Sequence, residues 1–258
     1  MPGPRYWPVL RYVVMNNPVF LIIPTYNERQ NLEPLVSRVF ALGISGLRVL
    51  VVDDHSPDGT GDVADQLAKK FPGLTVLHRS GKAGLGTAYV AGFRKALAEG
   101  AAVVCQMDAD FSHNPAALPQ LIAALDNGAD LSLGSRYVPG GRVVNWGVLR
   151  RGISRFGNWY ARKVLRLPLR DLTGGFKAYR RGVLEQIDLG RVSSVGYNFQ
   201  IETTARAVWQ GSRVVEIPIT FTERRTGRSK FNFSIMLEAF WKVWRLRRER
   251  PADVKRET

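Results

Sequence analysis

From Val19 onward, apolar runs alternate with stretches of helical periodicity. "VFLII" precedes a helix over Leu32 to Ala41, "LRVLVV" one over Gly61 to Phe71, and "LTVLH" one over Gly86 to Glu99, before "AAVVCQM" closes the series. Nearly unbroken apolar runs are strands buried on both faces, and strands linked by helices run parallel. This order therefore predicts an α/β fold, a mostly parallel sheet with helices on both faces. Three runs end in polar clusters, "PTYNE", "DDHSPDGT" and "DADFSH". Those clusters fall at the carboxyl edge, where open α/β sheets bind ligands.

At 258 residues and 45% apolar content, the chain suffices for one large α/β domain. Its net charge of +15 points to a polyanionic partner: nucleic acid, an anionic membrane surface or a phosphorylated substrate. The single cysteine, Cys105, lies inside an apolar run, which excludes a disulfide framework and a thiolate metal cluster and fits a reducing cytoplasm. No window approaches the ~18 to 20 apolar residues of a membrane span. The first residues, broken by Pro8 and Arg11, do not read as a signal peptide, and residues 1–18 are expected to be an extension before the domain.

Beyond "ADLSLGSRY" the pattern changes. Leu149, Ile153, Phe156, Tyr160, Val164 and Leu167 form a stripe about 80° wide at helical spacing, with Arg151, Arg155, Arg162 and Arg166 roughly opposite. Such a helix packs its stripe on the domain with arginines in solvent, or lies on an anionic membrane. In "FSIMLEAFWKVWRL", Met236, Leu237, Phe240, Trp241, Val243 and Trp244 make a second apolar arc, ahead of a charged tail. Tryptophans beside arginines suit a lipid interface, while the first turns equally suit core packing against the main domain. Residues 19–232 are thus expected to form the main domain, and 233–258 an amphipathic, basic helix and tail.

The pair Asp108 and Asp110 supplies hard oxygen ligands suited to Mg²⁺ or Mn²⁺ shared with a diphosphate. Asp54 closes a neighbouring strand and can accept from a nucleobase N–H or a ribose hydroxyl. Pro57, Asp58 and Gly59 read as turn residues ahead of a helix. "GKAGLGTAYVAG" meets neither the dinucleotide nor the P-loop pattern and is a strand-to-helix turn, with Lys82 placed near phosphate. Arg136 in "GSRY", with Arg224 and Lys230 in "FTERRTGRSK", follow strand-like segments and suit either phosphate contacts or, taken singly, solvated surface positions. Gly227 and Ser229 fit a loop that orders on an anion.

Seven ordered segments, "LIIPTYNERQNL", "VVDDHSPDGTGDVA", "GLGTAY", "MDADFSHNP", "GSRYVPGG", "DLTGGFKAYRR" and "EIPITFTERRTGRSK", resemble the polyprenyl (dolichyl) phosphate mannosyltransferases of the family-two glycosyltransferases. The resemblance implies a GT-A fold, GDP-mannose as donor, a divalent cation (Mg²⁺ or Mn²⁺), and inverting transfer to a polyprenyl phosphate. It places Pro24, Tyr26, Glu28, Val52 and Asp54 at the nucleotide, Asp108, Ala109 and Asp110 at the donor and metal, and Arg136, Arg224 and Lys230 at phosphates. His55 stands where glycine is usual, and Ser112 where some members carry a stronger metal ligand, leaving Asp110 with Ser112 as the protein's metal ligands. Lacking a membrane span, the chain is expected to sit peripherally on the cytoplasmic face, by its amphipathic helices or a membrane-embedded subunit.

A monoalkyl phosphate is mostly dianionic at neutral pH, its second pKa being about 6, and needs no general base to attack an anomeric carbon. Glu202 in "FQIETTAR" is the substitute base if one is used. Two other readings are a UDP-sugar donor on the same lipid phosphate, and a basic nucleic-acid-binding module supported by charge alone. The motifs favour an enzyme with no nucleic-acid partner.

Overall fold

The structure, a computed structural model, describes residues 18–190, 192, 197–223 and 233–251, with the side chains of 197 and 233–239 not described. Residues 1–17 of the expected extension, residues 252–258 of the tail, and Arg224, Gly227, Ser229 and Lys230 lie outside the described residues.

Strand β1 (Val19–Thr25) leads into α1 (Arg29–Phe40), β2 (Leu47–Asp53) into α2 (Thr60–Lys70), and β3 (Leu74–His78) into α3 (Leu85–Ala98). Strand β4 (Val103–Gln106) reaches α4 (Leu118–Asp126) through a 3-10 turn at Pro115–Ala117. There follow β5 (Leu131–Ser135), β6 (Arg142–Val144), α5 (Val148–Leu165), β7 (Lys177–Arg180), α6 (Arg181–Gln186), α7 (Tyr197–Trp209), β8 (Val214–Pro218), β9 (Thr220–Thr222) and α8 (Phe233–Arg248).

The main sheet has seven strands in the order β3-β2-β1-β4-β7-β5-β8. All its neighbours pair in parallel except β7, which is antiparallel to β4 and β5. Its reversal follows from where the chain re-enters: after α5 the backbone returns at the carboxyl edge, where Gly134 N–H donates to Phe176 O at 2.8 Å. Strands β6 and β9 form a separate parallel ribbon.

Period-two alternation divides the core between the sheet's faces. Val19, Leu21 and Ile23 pack with Leu32, Leu35 and Leu121 on one face, while Phe20, Ile22 and Val52 pack with Tyr89, Phe93 and Phe199 on the other. A third cluster joins α5, α7 and α8 through Val164, Leu165, Ile201, Trp209, Val243 and Leu246.

The stripe expected on α5 is divided along its length. Val164 and Leu167 are buried, but Leu149 is 78% and Phe156 51% exposed, because among the described side chains α8 covers α5 from Phe156 and Tyr160, at Phe240, toward Val164 and Leu165, and not the start of the helix. On α8, Val243 faces inward while Trp241 and Trp244 face outward, 68% and 46% exposed. No helix among the described residues is long and apolar enough to cross a membrane.

Candidate active site

The adjacency of β2, β1 and β4 brings the three polar clusters together at one sheet edge. Pro24 and Val52 are register partners at that edge. Val52 is fully buried and its side chain belongs to the core, so a ligand meets the residues after it. The Lys82 ammonium lies 3.7 Å from the Tyr26 ring centroid, a cation–π contact that carries Lys82 back to the first cluster. Glu28 N–H donates to Thr60 Oγ1 (3.0 Å), and Asn31 Nδ2 donates to the Glu28 carboxylate (2.7 Å), tying this loop to the start of α2. Asp58 accepts from Thr60 N (3.0 Å) and Arg29 N (3.3 Å); partial burial raises its carboxyl pKa, but these bonds outweigh it and leave the group below its ordinary value. It is the turn residue that its sequence context suggests.

Asp54 is 5% exposed, and its Oδ1 accepts from Arg79 Nη1 at 2.6 Å. Arg79 in turn donates to Thr87 Oγ1 at 2.9 Å, on the first turn of α3. Sequence reading missed Arg79, which no motif marks. His55 has φ +57°, a left-handed conformation that glycine adopts without strain.

Past β4, Tyr89 OH donates to Asp108 Oδ1 at 2.8 Å. Burial, then the Asp108 charge, push the Tyr89 phenol well above its ordinary pKa, so it remains a donor. Ala109, Asp110 and Ser112 are buried, and Asp110 Oδ1 accepts from Ser112 N (3.0 Å) and from the Ser112 hydroxyl. Beside them His113 is 1% exposed, packed on Phe176 and Phe221, with neither ring nitrogen hydrogen-bonded. Burial lowers its pKa against the opposing charges of Asp108 and Asp110, favouring a neutral imidazole. Gln200 Nε2 is a second buried donor without a partner. A Cβ on Gly175 would lie 3.2 Å from Asp108 Oδ2 and 3.5 Å from Gln200 Nε2, so glycine keeps the space beside the acid clear. Orphaned buried polar atoms each cost about 1–3 kcal/mol and mark places where a ligand or water belongs.

No group of three or more His, Cys, Asp or Glu side chains among the described residues could hold a metal by itself. The oxygen set of Asp108, Asp110 and Ser112 fits a hard divalent cation that completes its sphere from a diphosphate and water.

Arg136, directly after β5, is 6% exposed. Its Nε and Nη2 donate to the two oxygens of Asp171, both at 2.7 Å, and its backbone N–H donates to the same carboxylate at 2.9 Å. Burial raises the Asp171 carboxyl pKa, but the Arg136 charge and hydrogen bonds prevail and hold it below its ordinary value. The guanidinium lies 5.2 Å from the Tyr137 and Phe221 ring centroids and 5.7 Å from that of Trp146. Arg150, also unmarked by sequence reading, lies 4.2 Å from the Trp146 ring centroid. Thr222 N–H donates to Ser112 O at 3.1 Å, fixing β9 to the D-x-D loop just ahead of Arg224.

The chain belongs to glycosyl transferase family 2, whose model matches residues 20–188, and its sheet is that of the GT-A glycosyltransferases. It is 53% identical over 230 residues to the polyprenol monophosphomannose synthase of Mycolicibacterium smegmatis, covering 88% of this chain and 86% of that one. It is 50% identical over 227 residues to the undecaprenyl-phosphate mannosyltransferase of Micrococcus luteus, covering 88% and 93%. Among solved structures, glucosyl-3-phosphoglycerate synthase from Mycobacterium tuberculosis, in complex with Mn²⁺, UDP and glucosyl-3-phosphoglycerate, shares the fold at TM-score 0.64 and 17% identity, covering 91% of this chain and 80% of that one.

Proposed function

We propose that this protein transfers mannose from GDP-mannose to a polyprenyl phosphate, with inversion at the anomeric carbon and with Mg²⁺ or Mn²⁺ as cofactor. The reading is supported most by identity at about half of all positions, over most of the chain, to two proteins named for mannosyl transfer to polyprenyl phosphates. In the sequence, D-x-D, GSR and the other motifs stand in the order that this class requires.

Pro24, Tyr26, Glu28 and Asp54, with the Val52 strand end, hold the nucleotide, and Arg79 fixes the Asp54 carboxylate for that contact. Asp108, Ala109 and Asp110 face the donor sugar and diphosphate. Asp110 and Ser112 would hold the cation, which when bound would supply positive charge against the departing diphosphate. Arg136, oriented by Asp171, offers charge to a phosphate at the site's other wall, and Arg224 and Lys230 extend that wall.

No carboxylate acts as a base. Glu202 is 3% exposed, and its Oε1 accepts from Arg206 Nε (3.0 Å) and Nη2 (2.8 Å), toward α8. The protein acts on the cytoplasmic face of a membrane, to which α5, α8 or a membrane-embedded subunit holds it.

Purified protein is incubated with labelled GDP-mannose, Mg²⁺ or Mn²⁺ and polyprenyl phosphate, then extracted into organic solvent. Label in the organic phase, abolished by chelator, is the expected result. Transfer from UDP-glucose in preference to GDP-mannose overturns the donor assignment, and full turnover in chelator overturns the cation's role. Glu202→Gln retains turnover if no base is needed.

A further inference from the structure

Arg155 and Arg170 are exposed and Arg162 is half-buried, but the three converge on one concave surface. A pocket of 330 Å³ opens between α5 and the segment after β5, lined by Arg155, Asn158, Trp159 and Arg162 from the helix, by Arg170 from the loop beyond it, and by Arg136. No carboxylate lines it. Asp171 answers the Arg136 charge. Arg155, Arg162 and Arg170 have no ion-pair partner among the described residues, so within those residues the pocket's charge of about +3 is uncompensated.

The walls are fixed by bonds unrelated to those three side chains. Asn158 is 2% exposed; its Oδ1 accepts from Leu172 N (2.7 Å) and its Nδ2 donates to Ser154 O (3.0 Å) and Thr173 Oγ1 (3.1 Å). Glu216 accepts from Arg170 N (2.8 Å) and Asp171 N (2.9 Å), which sets the direction in which Arg170 leaves the loop.

One rim is apolar. At about 100° per residue, Trp159 lies about 40° around the helix from Arg155, and Phe156 a further 60° or so. Trp159 is 50% and Phe156 51% exposed, their rings stack with centroids 5.7 Å apart, and Phe156 meets Phe240 of α8 at 6.0 Å. An anion at the arginines would thus have half-exposed aromatic surface beside it. A soluble phosphate uses the arginines and leaves those rings in water. A phosphate ester at a bilayer surface uses both, since guanidinium pairs with phosphate oxygens while indole and phenyl rings settle at the headgroup level.

We propose that this pocket binds the phosphodiester headgroup of an anionic glycerophospholipid, beside the donor site with which it shares Arg136, and so fixes how the protein sits on the bilayer. The inference rests on the membrane-surface part of the proposed function and gives that surface a defined ligand.

The test is co-sedimentation of the full chain with phosphatidylcholine vesicles with and without phosphatidylglycerol. The triple variant Arg155→Gln, Arg162→Gln, Arg170→Gln is compared with Arg48→Gln, Lys69→Gln, Arg94→Gln, which removes equal charge from exposed positions elsewhere. Circular-dichroism melting establishes folding, and if the pocket triple melts early the single Arg155→Gln takes its place. Expected is binding that requires phosphatidylglycerol and weakens at least about tenfold in the pocket triple, but less than about threefold in the other (fivefold against twofold for the single variant). Equal weakening in both would show undirected charge attraction and overturn the pocket while sparing membrane association. In parallel, monomeric dihexanoyl phosphatidylglycerol should raise the melting temperature of the wild-type protein where the same concentration of inorganic phosphate does not. Equal shifts from both would make the ligand a soluble phosphate and overturn the lipid assignment. Absence of vesicle binding by the wild-type protein overturns the site together with the membrane surface, whereas lipid binding without mannosyl transfer overturns the proposed reaction alone.

Discussion

Asp171 and Arg136 are both almost wholly buried, and neither charge is tolerable there without the other. Asp171→Asn should cost about 3–5 kcal/mol in urea denaturation, because it strands a buried guanidinium. The carboxyl pKa is lower folded than unfolded, so its contribution is complete above its ordinary value of 3.8 and lost as pH falls through the folded value; the Asn variant should lack that acid-limb loss. Lys177 works in the other direction. Burial pushes its pKa down to about 7 against an ordinary 10.5, despite the opposing charge of Asp171. Between those values the unfolded chain binds more protons than the native one, so stability from this residue rises with pH, at up to about 1.4 kcal/mol per pH unit. Urea titrations of the wild-type protein and Lys177→Met across that window should differ by this slope. Asp110→Asn keeps an oxygen for the Ser112 bonds but loses the charge, so organic-extractable mannosyl transfer should fall at least about a hundredfold with little change in melting temperature. That Asp54, Asp108, Asp110 and Arg136 fall at the sheet's carboxyl edge was legible because each stands within a few residues of the end of an apolar, strand-like run. Arg79 and Asp171 were not, because each is defined by a partner 25 and 35 residues away that only the folded chain supplies.

Elements were legible where one periodicity governs them. α2 and α3 begin at Thr60 and Leu85, one residue before the expected Gly61 and Gly86. α1 begins at Arg29 rather than Leu32, because Glu28 rather than the apolar stripe sets its first turn through its bond to Thr60. β7 was illegible in direction, since a strand's residues record burial but not polarity; only the loop's return to the carboxyl edge sets it. α3 also depends on close contact that periodicity does not express. A Cβ on Gly92 would lie 2.4 Å from Ile22 Cγ2 and 3.2 Å from Val52 Cγ2, so this helix seats on β1 and β2 only with glycine at that position. Gly92→Ala must push α3 off the sheet or force those side chains from their rotamers, at about 1–3 kcal/mol. Because Tyr89 of the same helix holds Asp108, the substitution should also reduce transfer more than Gly182→Ala, where an added Cβ meets nothing within 4 Å. Thermal melts and initial rates on the two variants check both halves of this expectation.

At the scale of the whole molecule, a net charge of +15 and an uncovered aromatic edge bear on one question, how a chain without an apolar spanning helix among its described residues reaches a lipid substrate. Charge alone gives an attraction that salt screens within a Debye length of about 8 Å at physiological ionic strength. Apolar burial gives one that salt leaves in place. Trp241 and Trp244 suit the second kind, since both rings are exposed while Val243 between them is buried, and the contacts Trp244 makes, with Tyr160 and Arg247, lie at the surface rather than in the core. Trp241→Ala with Trp244→Ala should therefore leave the melting temperature nearly unchanged. At moderate salt, binding to anionic vesicles should fall about tenfold, the order expected when two large rings lose partial burial at an interface. The residual binding of the double variant should vanish on raising salt, while the wild-type protein keeps a salt-resistant fraction. Salt titrations of vesicle binding for both proteins distinguish the contributions: parallel curves with equal loss would mean that the tryptophans stay in water and that charge alone brings the protein to the membrane.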